Sequence, residues 1–181
     1  MPTHAAVPTG IERTFDEGRF LVSKTDSKGV IQYVNTLFLD ISGYREEEVL
    51  GQPHNLVRHP EMPRGVFRLL WDRLNAGKEV FAYIVNLAAD GAHYWVFAHV
   101  TPSFDPTGKL VGFHSNRRCA DKSAVTAVRQ LYALMLREES QHSRTRDAVE
   151  ASSAFMGSYL DQHDLSYDEY VWSLAAAGAA R

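Results

Sequence analysis

The 181-residue sequence lacks the features that mark several large classes of protein. Its one cysteine, Cys119, excludes an intrachain disulfide and a cysteine-rich zinc site. The 19 Lys and Arg against 22 Asp and Glu give a net charge of −3, without the excess of positive charge typical of nucleic-acid modules. No stretch reaches the roughly 18 apolar residues that cross a bilayer, and the first residues do not resemble a signal peptide. We therefore expect a cytoplasmic protein that neither binds nucleic acid nor inserts into a membrane.

The short motifs of common enzyme classes are also missing. The sequence contains no glycine-rich phosphate loop, no nucleophile elbow and no His-Glu-x-x-His zinc motif. No acid–base constellation for a substrate is visible either. The composition, with 45% hydrophobic and 23% charged residues, is that of an ordinary folded chain. We expect a globular protein that is not an enzyme.

Glycine and proline divide the chain into two parts. Residues 1–120 contain ten of the 12 glycines and all seven prolines, whereas residues 121–181 contain only Gly157 and Gly178. Because both residue types mark turns and interrupt helices, the first part is predicted to be rich in turns and the second to be helical. We predict an N-terminal cap segment over residues 1–18, a domain over residues 19–120 and a C-terminal helical extension over residues 121–181.

Turn chemistry and apolar periodicity order the elements of the first part. Turns are predicted at DSKG over 26–29, at Asp90-Gly91 and at DPTG over 105–108. Around them, strands are predicted near residues 19–23, 30–34, 80–88, 93–103 and 109–118. Helices are predicted over residues 36–41, over 45–50 and from Pro63 to Gly77. Two strands, several helices and three strands predict an α+β fold with helices beside an antiparallel sheet.

The second part shows three helical patterns. Asp121 is placed to cap the first helix, a further helix is predicted over 147–160, and Ser166 and Glu169 have the spacing of a capping box. Apolar residues repeat along the first helix at Val125, Val128, Tyr132 and Met135. This seam suits either a dimer contact or packing against the chain's own sheet.

Two segments contain most of the candidate site chemistry. Residues 51–63 read GQPHNLVRHPEMP, in which Arg58 offers a planar fork of donors suited to phosphate. The histidines of this segment suit hydrogen bonding or ligation, but the composition equally suits a solvated connector. Residues 93–99 read HYWVFAH, so alternate residues give the strand two apolar faces. One face is expected to line a cavity and the other to receive a helix or a partner.

These residues resemble a PAS domain, specifically the flavin-binding PAS sensor of bacterial aerotaxis receptors, from about residue 25 to 120. The resemblance rests on Asn35, ISGY over 41–44, the whole of segment 51–63, Asp90-Gly91 and HYWV over 93–96. It implies a PAS fold, with a five-stranded antiparallel sheet and short flanking helices around one pocket. It further implies a redox or oxygen sensor of the aerotaxis and chemotaxis type that binds FAD non-covalently, forms a homodimer and signals to an unidentified protein partner.

The resemblance also places the cofactor-binding residues, and it places neither a catalytic residue nor a metal ligand. The predicted FAD-binding residues are Asn35, Asn55, Arg58, His59, Glu61, Met62, Phe67, Trp71, Asn86 and Trp95.

Two other functions fit the same fold. A haem-binding sensor would use a histidine as axial ligand, and the candidates are His54, His59, His93, His99 and His114. A ligand-free interaction module is favoured by VFAYIV over 80–85, which lacks a tryptophan that the family usually has before Asn86. Light-driven covalent flavin chemistry is not expected, since Cys119 is at the end of the predicted sheet.

Overall fold

The computed structural model of the protein describes residues 6–179. The strands are β1 (Leu21–Asp26), β2 (Ile31–Val34), β3 (Val80–Leu87), β4 (His93–Phe104) and β5 (Leu110–Cys119). The helices are α1 (Thr36–Ser42), α2 (Glu46–Val49), α3 (Arg64–Asn75), α4 (Lys122–Ser140), α5 (Thr145–Gln162) and α6 (Tyr167–Ala179), with a short 3-10 helix over His54–Val57. The α+β class, the five strands and the C-terminal helices are those predicted. No helix within residues 6–179 has the length and apolarity required to cross a bilayer.

The five strands form one antiparallel sheet in the order β2-β1-β5-β4-β3. Its central strand is β5, which pairs with β1 on one side and with β4 on the other. Tight turns made by the predicted residues set this register. At the β3–β4 turn, Gly91 has a φ of +88°, and a Cβ there would lie 2.1 Å from the carbonyl oxygen of Val7. The turn therefore needs glycine, and it holds the N-terminal segment against the start of β4.

The two faces of the sheet have different neighbours. The inner face, which includes Ile84, Ala98 and Arg117, lies toward α3 and the short helices that precede it. The outer face is partly covered by α6, whose Trp172 lies 4.7 Å from Phe81 between ring centroids. Helix α5 packs against α3 and α4, so α3 is enclosed between the sheet and the C-terminal helices.

The helical extension packs on its own domain. The seam of α4 (Val125, Val128, Tyr132 and Met135) is buried within the single chain. The hydroxyl of Tyr132 donates to the carbonyl oxygen of Tyr83 on the edge strand β3, at 2.6 Å. Of the two uses predicted for the seam, intramolecular packing is the one found. The predicted capping box is also present, since the Glu169 carboxylate accepts from the backbone N–H of Ser166 at 2.8 Å.

Candidate functional site

A cavity of about 230 Å³ lies between α3 and the inner face of the sheet. Small-molecule sites enclose roughly 300 Å³ or more, so this space accommodates a ring system rather than an entire dinucleotide. The cavity is lined by Ser23, Thr25, Gly29, His54, Asn55, Arg58, Phe67, Leu70, Trp71, Leu74, Ile84, Asn86, Val100, Phe113, Ser115 and Arg117.

Helix α3 forms the apolar wall of this cavity. Its lining residues are spaced by three and four positions, so they share one face of the helix: Phe67, Leu70, Trp71 and Leu74. The Trp71 ring meets Phe113 of β5 edge to face, with 5.3 Å between centroids. The opposite wall contains Ile84 and Val100 from the sheet. Two apolar walls of this kind suit a flat, largely apolar ring.

The polar end of the cavity is built around Arg117 of β5. The side chain is buried and donates through Nη2 to Ser23 Oγ and to Nε2 of His54 (2.7 Å). Its Nε donates to Ser115 Oγ at 2.9 Å. Burial lowers the pKa of Arg117 to about 10, so the guanidinium stays protonated at neutral pH. The wall of the cavity therefore carries a fixed positive charge.

His54 is neutral in this network. Burial, and after it the charge of Arg117, lowers the pKa of His54 to about 3. The imidazole then uses Nε2 to accept the hydrogen bond from Arg117. Of the five histidines considered as haem ligands, all within residues 6–179, His54 lines the cavity. Its Nε2 already accepts a hydrogen bond from the Arg117 cation, so this arrangement does not favour an axial iron ligand.

Two buried donors at the cavity have no partner among the described residues. They are Nη1 of Arg117 and Nδ2 of Asn86. A buried donor without an acceptor is costly, so an acceptor on a ligand that reached either atom would stabilise the filled site. No Asp or Glu is among the described residues that line the cavity. The donor set therefore fits an apolar ring with hydrogen-bond acceptors on one edge, and it favours forms of that ligand that carry negative charge.

Arg58 lies in the cavity wall near the start of α3. Its guanidinium stacks over the Phe67 ring, 4.8 Å from the centroid, and donates to the carbonyl oxygen of Met62 at 2.8 Å. Burial lowers the pKa of Arg58 from its ordinary value. Asn55, from the 3-10 helix, is exposed where the cavity opens. These two side chains are placed for the polar part of a ligand that extends out of the cavity.

Five of the ten predicted cofactor-binding residues line the cavity: Asn55, Arg58, Phe67, Trp71 and Asn86. The other five do not: Asn35, His59, Glu61, Met62 and Trp95. Whether any of the ten contacts a bound cofactor stays a prediction.

The residues away from the cavity have structural contacts instead. Asn35 caps α1, since its Oδ1 accepts from the Phe38 N–H at 3.1 Å. Trp95 lies on the outer face of the sheet, against Tyr132 at 6.2 Å between centroids, because alternate residues of β4 point to opposite sides. Met62 is fully buried in the core.

His59 and Glu61 lie beyond the cavity wall. The Nδ1 atom of buried His59 accepts from the Glu61 N–H at 3.1 Å, and its ring packs against His93. The exposed Glu61 side chain lies 3.6 Å from Arg129 of α4. Burial lowers the pKa of His59. No group of three or more His, Cys, Asp or Glu suited to a metal ion occurs within residues 6–179.

Arg117, Ser23 and Ser115 are missing from the predicted set, although they form the polar end of the cavity. Strand alternation offers the one available signal, since Phe113, Ser115 and Arg117 share a face of β5. Without the register of the sheet, that signal does not show which of two adjacent arginines faces inward.

Sequence comparison with known proteins agrees with the fold described above. A family model described as the PAS fold matches residues 17–117. The chain is 39% identical over 112 residues to the aerotaxis receptor of Escherichia coli K12, covering 62% of this chain and 22% of the receptor. It is 27% identical over 103 residues to a nitrogen fixation regulatory protein of Klebsiella pneumoniae, covering 57% of this chain and 21% of that protein. The match thus spans about a fifth of the length of these relatives.

Solved structures show the same fold at lower identity. A light-oxygen-voltage domain studied with a flavin analogue is 21% identical with a TM-score of 0.53, covering 68% of this chain and 87% of that one. The light-oxygen-voltage domain of the blue-light photoreceptor Aureochrome1, in its dark state, is 21% identical with a TM-score of 0.53, covering 65% of this chain and 84% of that one.

Proposed function

The chain belongs to the PAS fold family, and on this premise we propose that it is a cytoplasmic redox or oxygen sensor that binds FAD non-covalently. The PAS fold is in general a signalling module rather than an enzyme. In this proposal the flavin ring occupies the cavity between α3 and the sheet, and the signal leaves through protein contacts.

The observation that carries the proposal is the pair of buried donors without partners. The pyrimidine end of a flavin ring has two carbonyl oxygens, which are acceptors for Nη1 of Arg117 and Nδ2 of Asn86. The aromatic remainder of the ring suits the apolar wall formed by Phe67 and Trp71. Apolar walls with a few placed polar groups are what a buried cofactor requires. The residues present therefore fit the group.

FAD, when bound, would supply reversible electron transfer. The chain's own residues would orient the ring, exclude water from it and fix a positive charge beside it. Arg117 would stabilise whichever form of the ligand carries negative charge, because a cation in a buried site interacts strongly with a nearby anion. Arg58 and Asn55 would bind the phosphate and ribose part outside the cavity, where a planar guanidinium suits a diphosphate.

The relatives support a redox or oxygen signal. The aerotaxis receptor is the relative with 39% identity, over 112 residues. The light-oxygen-voltage structures show the fold alone, and their light chemistry is not part of the proposal. Cys119, the one cysteine of the chain, does not line the cavity, so no thiol is placed to form a covalent adduct there.

A homodimer and a protein partner for the signal are further parts of the proposal. Exposed apolar side chains on the outer face of the sheet, Phe20 among them, suit a protein contact. Light scattering coupled to size-exclusion chromatography would report a mass of two chains if the protein self-associates. A mass of one chain would contradict the homodimer.

The absorption spectrum of the purified protein tests the cofactor. We expect the two bands of a flavin in the near-ultraviolet and blue, and release of FAD rather than FMN on heat denaturation. A Soret band would show haem instead. A colourless protein that stays colourless after incubation with excess FAD would contradict the proposal and leave an interaction module.

A further inference from the structure

The first turn of α3 is capped from the C-terminal extension. Pro63 is the N-cap residue of this helix, and its side chain has no hydrogen-bonding group with which to cap it. Oε1 of Glu139, near the end of α4, accepts from the N–H of Arg64 (2.6 Å) and from that of Gly65 (3.3 Å). The Glu139 side chain is only 9% exposed, so the contact is largely shielded from water. The orphan donors of one helix are thus satisfied by a residue 75 positions away in the sequence.

The position of Glu139 is explained by α3 rather than by α4. A carboxylate in the last turn of a helix lies at the negative end of the helix dipole, where it is unfavourable. At the N-terminus of α3 the same charge is favourable, because the free N–H groups there carry partial positive charge. Arg64 adds to this, with its Nε 4.0 Å from Oε2 of Glu139.

Two further contacts join α3 to the extension. At Gly65, a Cβ atom would lie 2.7 Å from Ser152 Oγ of α5, so the two helices approach as closely as glycine allows. Near the other end of α3, Arg73 forms an ion pair with Asp168 in the first turn of α6. Three of the four cavity-facing residues of α3, Phe67, Leu70 and Trp71, lie between these two contacts.

We propose that Glu139 is a positioning residue for the cavity, which makes ligand binding and the docking of the C-terminal helices depend on each other. The inference rests on the proposed function, because it takes the cavity as the binding site. Glu139 contacts no ligand in this account. It holds the N-terminal turn of α3, which carries Phe67 and adjoins Arg58. Burial lowers the pKa of Arg58, and the charge of Glu139 opposes that shift. Because coupling between two sites is reciprocal, a ligand that orders α3 strengthens the docking of α4 by the same factor.

The experiment compares three variants of the full chain. Glu139→Ala removes the cap, and Glu139→Gln keeps an acceptor oxygen but no charge. Glu138→Ala is the matched control on the adjacent residue, whose carboxylate accepts one long hydrogen bond of 3.5 Å, from Gln141, among residues 6–179. Hydrogen–deuterium exchange of the ligand-free proteins measures protection of the first α3 turn, and fluorescence titration measures FAD affinity.

We expect faster exchange of the Arg64 and Gly65 amides in Glu139→Ala, with unchanged exchange in Glu138→Ala. The dissociation constant for FAD should rise between roughly twofold and thirtyfold, the range that corresponds to a lost helix cap. Glu139→Gln should stay near the wild type in exchange, because the amide oxygen still accepts. Saturation with FAD should slow exchange at the end of α4 in the wild type but not in Glu139→Ala.

The outcomes separate this inference from the proposed function. If the wild type binds FAD and Glu139→Ala binds it equally well, the inference is wrong and the proposed function stands. If the wild type binds no FAD, the proposed function fails, and the exchange data alone decide the inference. Equal exchange of the α3 amides in Glu139→Ala and Glu138→Ala would then overturn it.

Discussion

Replacing Arg117 by methionine removes the buried cation from the cavity and leaves a flexible apolar side chain in its place. Two opposing effects on the ligand-free protein can be estimated from the structure. Burial lowers the pKa of Arg117 from 12.5 to about 10. At about 1.4 kcal/mol per pKa unit, that change corresponds to a cost of about 3 kcal/mol for holding the charge in the fold. The substitution relieves this cost.

The same substitution removes hydrogen bonds from the guanidinium to Ser23, Ser115 and His54. A hydrogen bond from a charged donor contributes roughly 1.5–3 kcal/mol, so the total loss is roughly 4.5–9 kcal/mol. Ser23 Oγ lies 3.2 Å from Nε2 of His54 and can donate to it once the cation is gone. The two effects offset each other only in part, and we expect the free energy of unfolding of the ligand-free protein to fall by roughly 1.5–6 kcal/mol.

Binding of FAD should weaken for a separate reason. A hydrogen bond from a charged donor contributes roughly 1.5–3 kcal/mol, which corresponds to a loss of roughly tenfold to 150-fold in affinity. Urea denaturation followed by circular dichroism measures the stability, and fluorescence titration measures the affinity. Arg118→Met is the matched control, since Arg118 is exposed on the outer face over Phe97 and should leave FAD binding unchanged. An Arg117→Met protein that is as stable as the wild type, or that binds FAD as tightly as the wild type, would contradict these estimates.

Three further substitutions or conditions test the packing and the electrostatics. Gly65→Ala should destabilise the protein by roughly 1–3 kcal/mol, because the new methyl group overlaps α5. Gly157→Ala is the control within a helix, beside open space, and should stabilise the protein by up to about 1 kcal/mol in urea denaturation. Equal effects of the two substitutions would show that α3 and α5 are not in close contact. Tyr132→Phe should cost about 1–2 kcal/mol by calorimetry, since the carbonyl oxygen of Tyr83 loses its buried donor, and an unchanged melting temperature would rule out that bond. The pKa of His54 is about 3 in the folded protein and 6.5 in the unfolded chain. The contribution of neutral His54 to the free energy of unfolding is therefore present above pH 6.5 and is lost as the pH falls toward 3. The unfolded state then binds more protons, so His54 alone should lower the stability by up to about 1.4 kcal/mol per pH unit below about pH 6, and His54→Gln should make that slope shallower. A slope that is the same in the variant would contradict a neutral His54.

The fold could be predicted from local signals because they agree with one another along the chain. Turn residues separate the strands, and the apolar spacing from Val66 to Leu74 marks α3. The capping residues Asp121 and Ser166 start α4 and α6 where they were predicted. Each of these signals acts over a few residues, so a single sequence reports it.

The site was less predictable because it depends on which face each residue presents. Both faces of β4 are apolar, and Trp95 lies on the outer one, where helices rather than a ligand cover it. Arg117 and Arg118 are adjacent in the sequence, and only the pairing of β5 with β1 and β4 shows that Arg117 points inward. In segment 51–63, the 3-10 helix directs Arg58 toward the cavity and leaves His59 behind its wall.

No residue near Glu139 in the sequence signals its role as a cap. Its contact with α3 joins residues 75 positions apart, and it depends on how α4 packs after the sheet is formed. Such a tertiary cap cannot be found from the residues that precede the helix. Pro63, which has no side chain able to cap, is the one local hint that the cap comes from elsewhere.

A crystal structure of the protein grown with FAD would show where the flavin binds. We predict a flavin ring between α3 and the inner face of the sheet, with a ring carbonyl oxygen within hydrogen-bond distance of Nη1 of Arg117 or Nδ2 of Asn86. A cavity closed by the protein's own side chains, or a flavin bound elsewhere on the surface, would contradict it.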